Sequence, residues 1–98
     1  MPIRIYWTKV AQDDLRSIKR HIAVDAPATA TAYIRKLRSS VNRLHDMPYS
    51  GEVVSELGRE EIREVLQGNY RLIYRVRERR IDILSVFHSS RLLDDSTF

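Results

Sequence analysis

The sequence predicts an α+β domain in which an N-terminal strand and a three-stranded antiparallel meander form one sheet, with a two-helix hairpin packed on one of its faces. Three observations carry this prediction. Between Ile62 and Arg91 lie the runs Ile62–Gln67, Tyr70–Arg77 and Ile81–Phe87, rich in Ile, Leu, Val, Tyr and Phe and of ordinary strand length. Before them, apolar residues recur at helical spacing in two stretches broken at Asp25-Ala26-Pro27. Finally, 98 residues hold one hydrophobic core, so residues 1–98 are expected to form a single domain.

Pro2–Tyr6 is a short extended run in which Ile3 and Ile5 alternate with Arg4, as in a half-buried strand. Trp7 follows as an anchor for the helix start, and Thr8 suits a helix N-cap because its hydroxyl can accept from a first-turn N–H. Ala11, Leu15, Ile18 and Ile22 then form the apolar stripe of a helix from Thr8 to Val24. Asp13 and Asp14 near its start, and Lys19, Arg20 and His21 near its end, complement the helix dipole. Pro27 opens a second helix, where a missing N–H is tolerated. Its stripe, Ala30, Tyr33 or Ile34, Leu37, Val41 and Leu44, predicts a helix to His45, and the short connection implies antiparallel packing. Met47-Pro48-Tyr49-Ser50-Gly51 ends the hairpin. Glu52–Arg59 is an irregular connection with a short extended piece at Val53-Val54.

In the meander, Gly68-Asn69 suits a tight primed turn, because both residues tolerate positive φ. Arg77–Arg80 forms the second turn without Gly or Pro. Alternation along the middle strand puts Tyr70, Leu72, Tyr74 and Val76 on one face and Arg71, Ile73, Arg75 and Arg77 on the other. The first face can pack a core. The second is basic and, with the helices elsewhere, is expected to meet water or a partner. Leu15, Ile18, Ile22, Ile34, Leu37, Val41, Leu72, Tyr74, Ile83 and Phe87 are the predicted core. Ser89 or Ser90 is expected to cap a short terminal turn, before an acidic tail ending in Phe98.

Composition narrows the chemistry. With no cysteine there is neither disulfide nor thiol catalysis, which fits a cytoplasmic protein. The three histidines lack ligand-like spacing, so no metal or other cofactor is expected. No apolar run approaches the roughly 18 residues of a membrane span, and no secretory leader is expected. The net charge of +4 comes from 17 Lys+Arg against 13 Asp+Glu, and all but Lys9, Lys19 and Lys36 of the basic residues are Arg. Arginine favours bidentate pairing with carboxylate or phosphate, so an acidic protein or a nucleic acid is the partner class.

Some of these pieces recur together in a known family. They are Trp7 with Ala11, Asp14-Leu15 and Ile18, then Pro27 and Ala30, then Leu44, Pro48 and Gly51. They continue with Ile62-Arg63-Glu64, with Gly68 to Val76 (GNYRLIYRV), and with Ile83-Leu84, Val86, His88 and Arg91. In this order the chain resembles the RelE/ParE toxin superfamily of type II toxin–antitoxin systems, and within it the ParE-like branch. The fold of that superfamily agrees with the element order read from the residues.

The resemblance implies a toxin that inhibits DNA gyrase by binding and is neutralised in a hetero-oligomer with a cognate antitoxin. The alternative it implies is a RelE-like endoribonuclease that cuts messenger RNA on the ribosome. Cleavage by a 2′-hydroxyl needs a proton acceptor, cations for the phosphorane and an acid for the leaving oxygen. Arg71 stands where such an enzyme would carry a catalytic Arg, and His88 could move the proton. Against this, all three lysines precede the sheet, the stretch from Glu52 to Glu64 is net acidic, and no Tyr follows Tyr74. Antitoxin contact is therefore assigned to Arg71 and Arg75, and target contact to His88 and Arg91. A purely structural reading stands beside these, with Arg71 and Arg75 paired to Glu64 or Asp82 and His88 bonded to nearby backbone.

Overall fold

The N-terminal strand lies beside the last one, so residues made first and last meet in the sheet. This computed structural model describes residues 2–93, and the predicted tail at 94–98 lies outside the described residues. The elements are β1 (Arg4–Trp7), α1 (Lys9–Ala23), α2 (Pro27–Ser39), a 3-10 turn at Asn42–His45, β2 (Glu52–Val53), β3 (Ile62–Gln67), β4 (Tyr70–Val76) and β5 (Arg80–His88). The sheet order is β1-β5-β4-β3-β2. β1 runs parallel to β5, with Ile5 opposite Ile81, and every other pairing is antiparallel. The predicted α+β arrangement holds, with β2 as the short extended piece beside β3.

Local chemistry fixes the helices. Thr8 is the N-cap of α1. Its hydroxyl accepts from Ala11 N at 3.2 Å and donates to the Ile83 carbonyl at 2.7 Å, so the cap also ties α1 to β5. Asp13 and Asp14 lie beyond the first turn, which contains no acid. Asp14 instead reaches the sheet. The β4–β5 register slips between Ile73, opposite Ser85, and Tyr74, opposite Ile83, which leaves Leu84 as the extra residue. Asp14 Oδ2 accepts from Val86 N at 2.8 Å and from Ser85 Oγ at 2.9 Å, satisfying the strand where it bulges. The predicted dipole role thus gives way to a helix–sheet tie.

The second helix ends at Ser39, not His45. Ser39 and Ser40 hydroxyls donate to the carbonyls of Lys36 and Leu37, at 3.1 and 2.6 Å, and compete with the helix ladder there. The chain tightens into the 3-10 turn, which still buries Leu44. Gly68 alone has positive φ in the β3–β4 turn, at 58°, and a Cβ there would strike the Tyr33 hydroxyl.

The helix-facing core joins Ala11, Leu15 and Ile18 of α1 and Leu37 of α2 to Val65, Leu72, Tyr74, Ile81 and Ile83 of the sheet. Of the predicted core, Ile22 and Ile34 are only partly buried, at the rim of this cluster. Tyr74 is fully buried. Its hydroxyl accepts from Gly51 N and donates to the Pro48 carbonyl, both at 2.9 Å. A side chain at Gly51 would come within 2.5 Å of that hydroxyl and 2.6 Å of the Glu64 carbonyl oxygen, so only glycine fits.

The opposite face departs from expectation. It is not left open along its length. Val54, Ile62, Ile73, Phe87 and Leu93 form a second core, with Leu57 and Leu84 packed against it. The 54–61 connection and the segment after β5 fold over the sheet because Ile73 and Phe87 would otherwise face water.

Leu72 is 0% exposed on the helix side of β4. Leu72→Ala is expected to cost about 2–5 kcal/mol in urea denaturation. A loss below about 1 kcal/mol would place this residue outside the core.

Candidate functional site

Strand phase points Arg71 away from the helices, opposite Leu66 on β3 and Phe87 on β5. The expected exposed cation is instead buried, at 6% exposure. Its Nη1 donates to Glu56 Oε2 at 2.6 Å and to the Arg91 carbonyl at 3.0 Å. Its Nη2 donates to Glu56 Oε1 at 2.9 Å and Glu64 Oε2 at 2.5 Å, and Nε donates to the same Glu64 oxygen at 3.2 Å. All five N–H groups of the guanidinium are taken. The contact with Glu56 is a parallel fork, the strongest geometry for this pair. The guanidinium also lies 5.5 Å from the centre of the Phe87 ring.

These bonds close the second core. Glu56 belongs to the irregular connection, Glu64 to β3 and Arg91 to the segment after β5. Glu56 Oε2 accepts in addition from Leu93 N at 3.2 Å. Arg71 therefore holds two irregular segments over the sheet, and Leu93 is 6% exposed beneath them. The hydrogen bond from Arg71 is the main reason the Glu56 carboxyl sits at about 2 rather than its ordinary 4.5, and the Glu56 bond likewise raises the Arg71 guanidinium above its usual range.

His88 lies on the other face. It pairs with Tyr70, and the two rings meet edge to face at 5.7 Å. Tyr70 packs in turn on Tyr33 of α2, which places His88 on the helix side. His88 is exposed at the strand end, and its Nδ1 accepts from Ser90 N at 3.2 Å. The expected bond to nearby backbone is therefore present. Ser89 and Ser90 sit in a turn closed by Arg91 N and the His88 carbonyl at 3.0 Å. Arg91 is exposed, its guanidinium 5.1 Å from the Phe87 ring centre. Arg75 is partly buried, and its Nε has no hydrogen-bond partner among the described residues. Arg71 and His88, the two candidate nuclease groups, thus project from opposite faces and share no site. No group of three His, Cys, Asp or Glu among the described residues could hold a metal ion, and no helix there is long and apolar enough to cross a membrane.

Residues 5–93 match the family described as "ParE toxin of type II toxin-antitoxin system, parDE". The chain belongs to the ParE toxin family. Two solved structures are similar to this ParE toxin. One is described as the chromosomal ParDE toxin–antitoxin system from P. aeruginosa. It is 21% identical, aligns over 88% of this chain and 95% of its own, and has a TM-score of 0.75. The other is the toxin–antitoxin complex RelBE2 from Mycobacterium tuberculosis, 25% identical over 90% of this chain and 99% of its own, with a TM-score of 0.60. A search of curated sequences finds no match.

Sequence reasoning on this ParE toxin found Arg71, its strand face and Glu64 as a partner. It missed Glu56 and the Arg91 carbonyl, which come from segments without periodicity. The available signal was the excess of acid between Glu52 and Glu64, read as repelling RNA, whereas two of those carboxylates neutralise Arg71.

Arg71→Ala leaves two carboxylates facing each other without a cation. The expected cost is about 3–5 kcal/mol in a denaturant titration, and a loss within about 0.5 kcal/mol would deny the clamp. The pH dependence has a definite sign. Between about 2 and 4.5 the unfolded chain binds the Glu56 proton and the folded chain does not. Stability should rise with pH through that window and fall as acid is added. Glu56→Gln should flatten the slope there. An unchanged slope would count against the assignment.

Proposed function

We propose that this chain is the toxin of a ParDE-type pair, that it inhibits DNA gyrase by stoichiometric binding, and that a cognate antitoxin neutralises it. The observation that carries this reading is the separation of Arg71 and His88. A phosphodiester cannot meet both, since one guanidinium is spent inside the second core and the imidazole stands on the opposite face. A nuclease needs its cation and its proton-transfer group around one reacting phosphate. A binding inhibitor needs no such convergence.

Membership in the ParE toxin family supports the same branch. The similar structures are described as toxin–antitoxin systems, which supports an antitoxin partner here. An acidic antitoxin segment that orders on binding would suit the basic chain. Of the two arginines assigned to it by sequence, Arg75 keeps that role, because its side chain is partly exposed at the end of β4 and pairs with no carboxylate among the described residues. Arg71 has no donor left to give and acts in the fold. Contact with the target is placed at His88 and Arg91, both exposed at the end of β5.

The purified toxin should block gyrase supercoiling at near-equimolar ratio and leave mRNA on programmed ribosomes uncut. His88→Ala should keep most of its toxicity in growing cells, whereas loss of a proton-transfer group typically lowers an enzyme's rate by about 10²–10⁴-fold. Site-specific cleavage of ribosome-bound mRNA that disappears in His88→Ala would replace the gyrase reading with the endoribonuclease. Arg71→Ala cannot decide between them, because it disturbs the fold.

A further inference from the structure

The second core covers only part of the sheet face away from the helices. At the β1 edge that face is open. Ile5 and Trp7 pack toward the helices, so the alternate residues Arg4 and Tyr6 point the other way, and both are exposed. Beside them in register stand Arg80 and Asp82 of β5. The β4–β5 turn adds Arg77 and Arg79. Arg4, Tyr6, Arg77, Arg79 and Arg80 line an open cavity of about 740 Å³, whose only acidic lining residue among the described residues is Glu78.

Two of these arginines are held in place. Asp82 is 3% exposed. Its Oδ2 accepts from Arg77 Nε at 2.6 Å, and its Oδ1 lies 2.9 Å from Arg80 Nε. Arg77 is therefore anchored through Nε by a hydrogen bond to a buried carboxylate, and the Arg80 guanidinium stands beside it as an ion pair without hydrogen-bond geometry. Their side chains stay about half exposed, at 47% and 54%, and among the described residues their terminal nitrogens make no hydrogen bond. Arg4 and Arg79 have no carboxylate partner among the described residues. The Arg80 guanidinium lies 5.8 Å from the centre of the Tyr6 ring, and that ring is 54% exposed.

We propose that this surface binds a single nucleic-acid strand, with phosphodiester groups on the Arg77 and Arg80 forks and a base stacked at Tyr6. Guanidinium forks with free terminal nitrogens match phosphate oxygens bidentately. Arg4 stands opposite Arg80 across the β1–β5 pair, and Arg77 shares the Asp82 carboxylate with Arg80, so the cations spread over two strands and the turn rather than meeting at a point. A cationic groove beside an aromatic ring is the construction that holds unpaired strands. An acidic peptide would satisfy the forks but leave Tyr6 unused. Among the described residues no Asn, Gln, Ser or Thr lines the cavity, and arginines held for phosphate contact carry little sequence information. This site goes beyond the gyrase reading and does not depend on it.

Fluorescence anisotropy of the purified toxin with a labelled mixed-sequence single-stranded oligonucleotide tests it, with no gyrase present. Binding should appear at low salt and fall with a log–log slope of roughly −2, as for about three phosphates. Arg77→Gln with Arg80→Gln should weaken it at least about tenfold and flatten the slope. Tyr6→Leu should weaken it without changing the slope, and Arg20→Gln on α1 should do nothing. If loss of both Asp82 partners unfolds the chain in a thermal melt, Arg79→Gln alone should still weaken binding. Absence of binding at low salt would overturn the site. So would an equal loss in Arg20→Gln, or displacement of the oligonucleotide by a poly-glutamate peptide at matched charge.

Discussion

A sheet packed on helices has a second face to dispose of, and here one buried cation decides how. Burying a guanidinium costs several kcal/mol unless every donor is met and the charge is balanced. Arg71 meets both conditions, with two carboxylates and a carbonyl around its five N–H groups. Those acceptors come from three places in the chain. Satisfying Arg71 therefore draws the irregular connection and the segment after β5 across Ile73 and Phe87. The apolar second core and the polar clamp depend on each other: the core excludes water from the ion pairs, and the ion pairs hold the core's lid.

The same economy of charge separates structure from surface. Glu56, Glu64, Asp14 and Asp82 point inward or along the sheet, each against a named donor or cation. Many of the arginines are left outside, so the net charge of +4 is expressed largely as exposed guanidinium. This chain thus uses four of its acids as internal fasteners, while most of its arginines face outward. Arg71 is an exception, and that is why a reading of Arg71 as a contact residue fails while the reading of the chain as basic stands.

The legible parts of the fold were those with a period. Alternation along β4 placed Tyr70, Leu72 and Tyr74 toward the helices and Arg71 away from them, and the structure agrees. Thr8 was legible as a cap, and Gly68 as a turn, from chemistry local to each residue. What was not legible depends on distant partners. Asp14 looks like a residue for the helix dipole until the bulge near Ser85 leaves the Val86 N–H in need of an acceptor. The hydroxyls of Ser39 and Ser40 end α2 before its apolar stripe does. Glu56 sits in a connection with no repeat, and only folding brings it to Arg71. For the site the loss was larger. Strand phase found the correct face, but not how far the segments around it would cover that face.

The parallel pairing of β1 with β5 has a consequence for how the toxin comes into being. Arg4 meets Arg80 and Trp7 meets Ile83, contacts between nearly opposite ends of the described chain. Pairings of such separation close late, because the loop between them must first lose its freedom. On a translating ribosome the helix hairpin emerges well before the strand that covers it. The nascent chain can form α1 and α2 first, but β1 cannot join the meander before β5 is made, since β5 lies between β1 and β4 in the strand order. A toxin built this way stays unassembled until its last strand has left the exit tunnel. A chain terminated before β5 lacks the strand that joins β1 to the rest of the sheet.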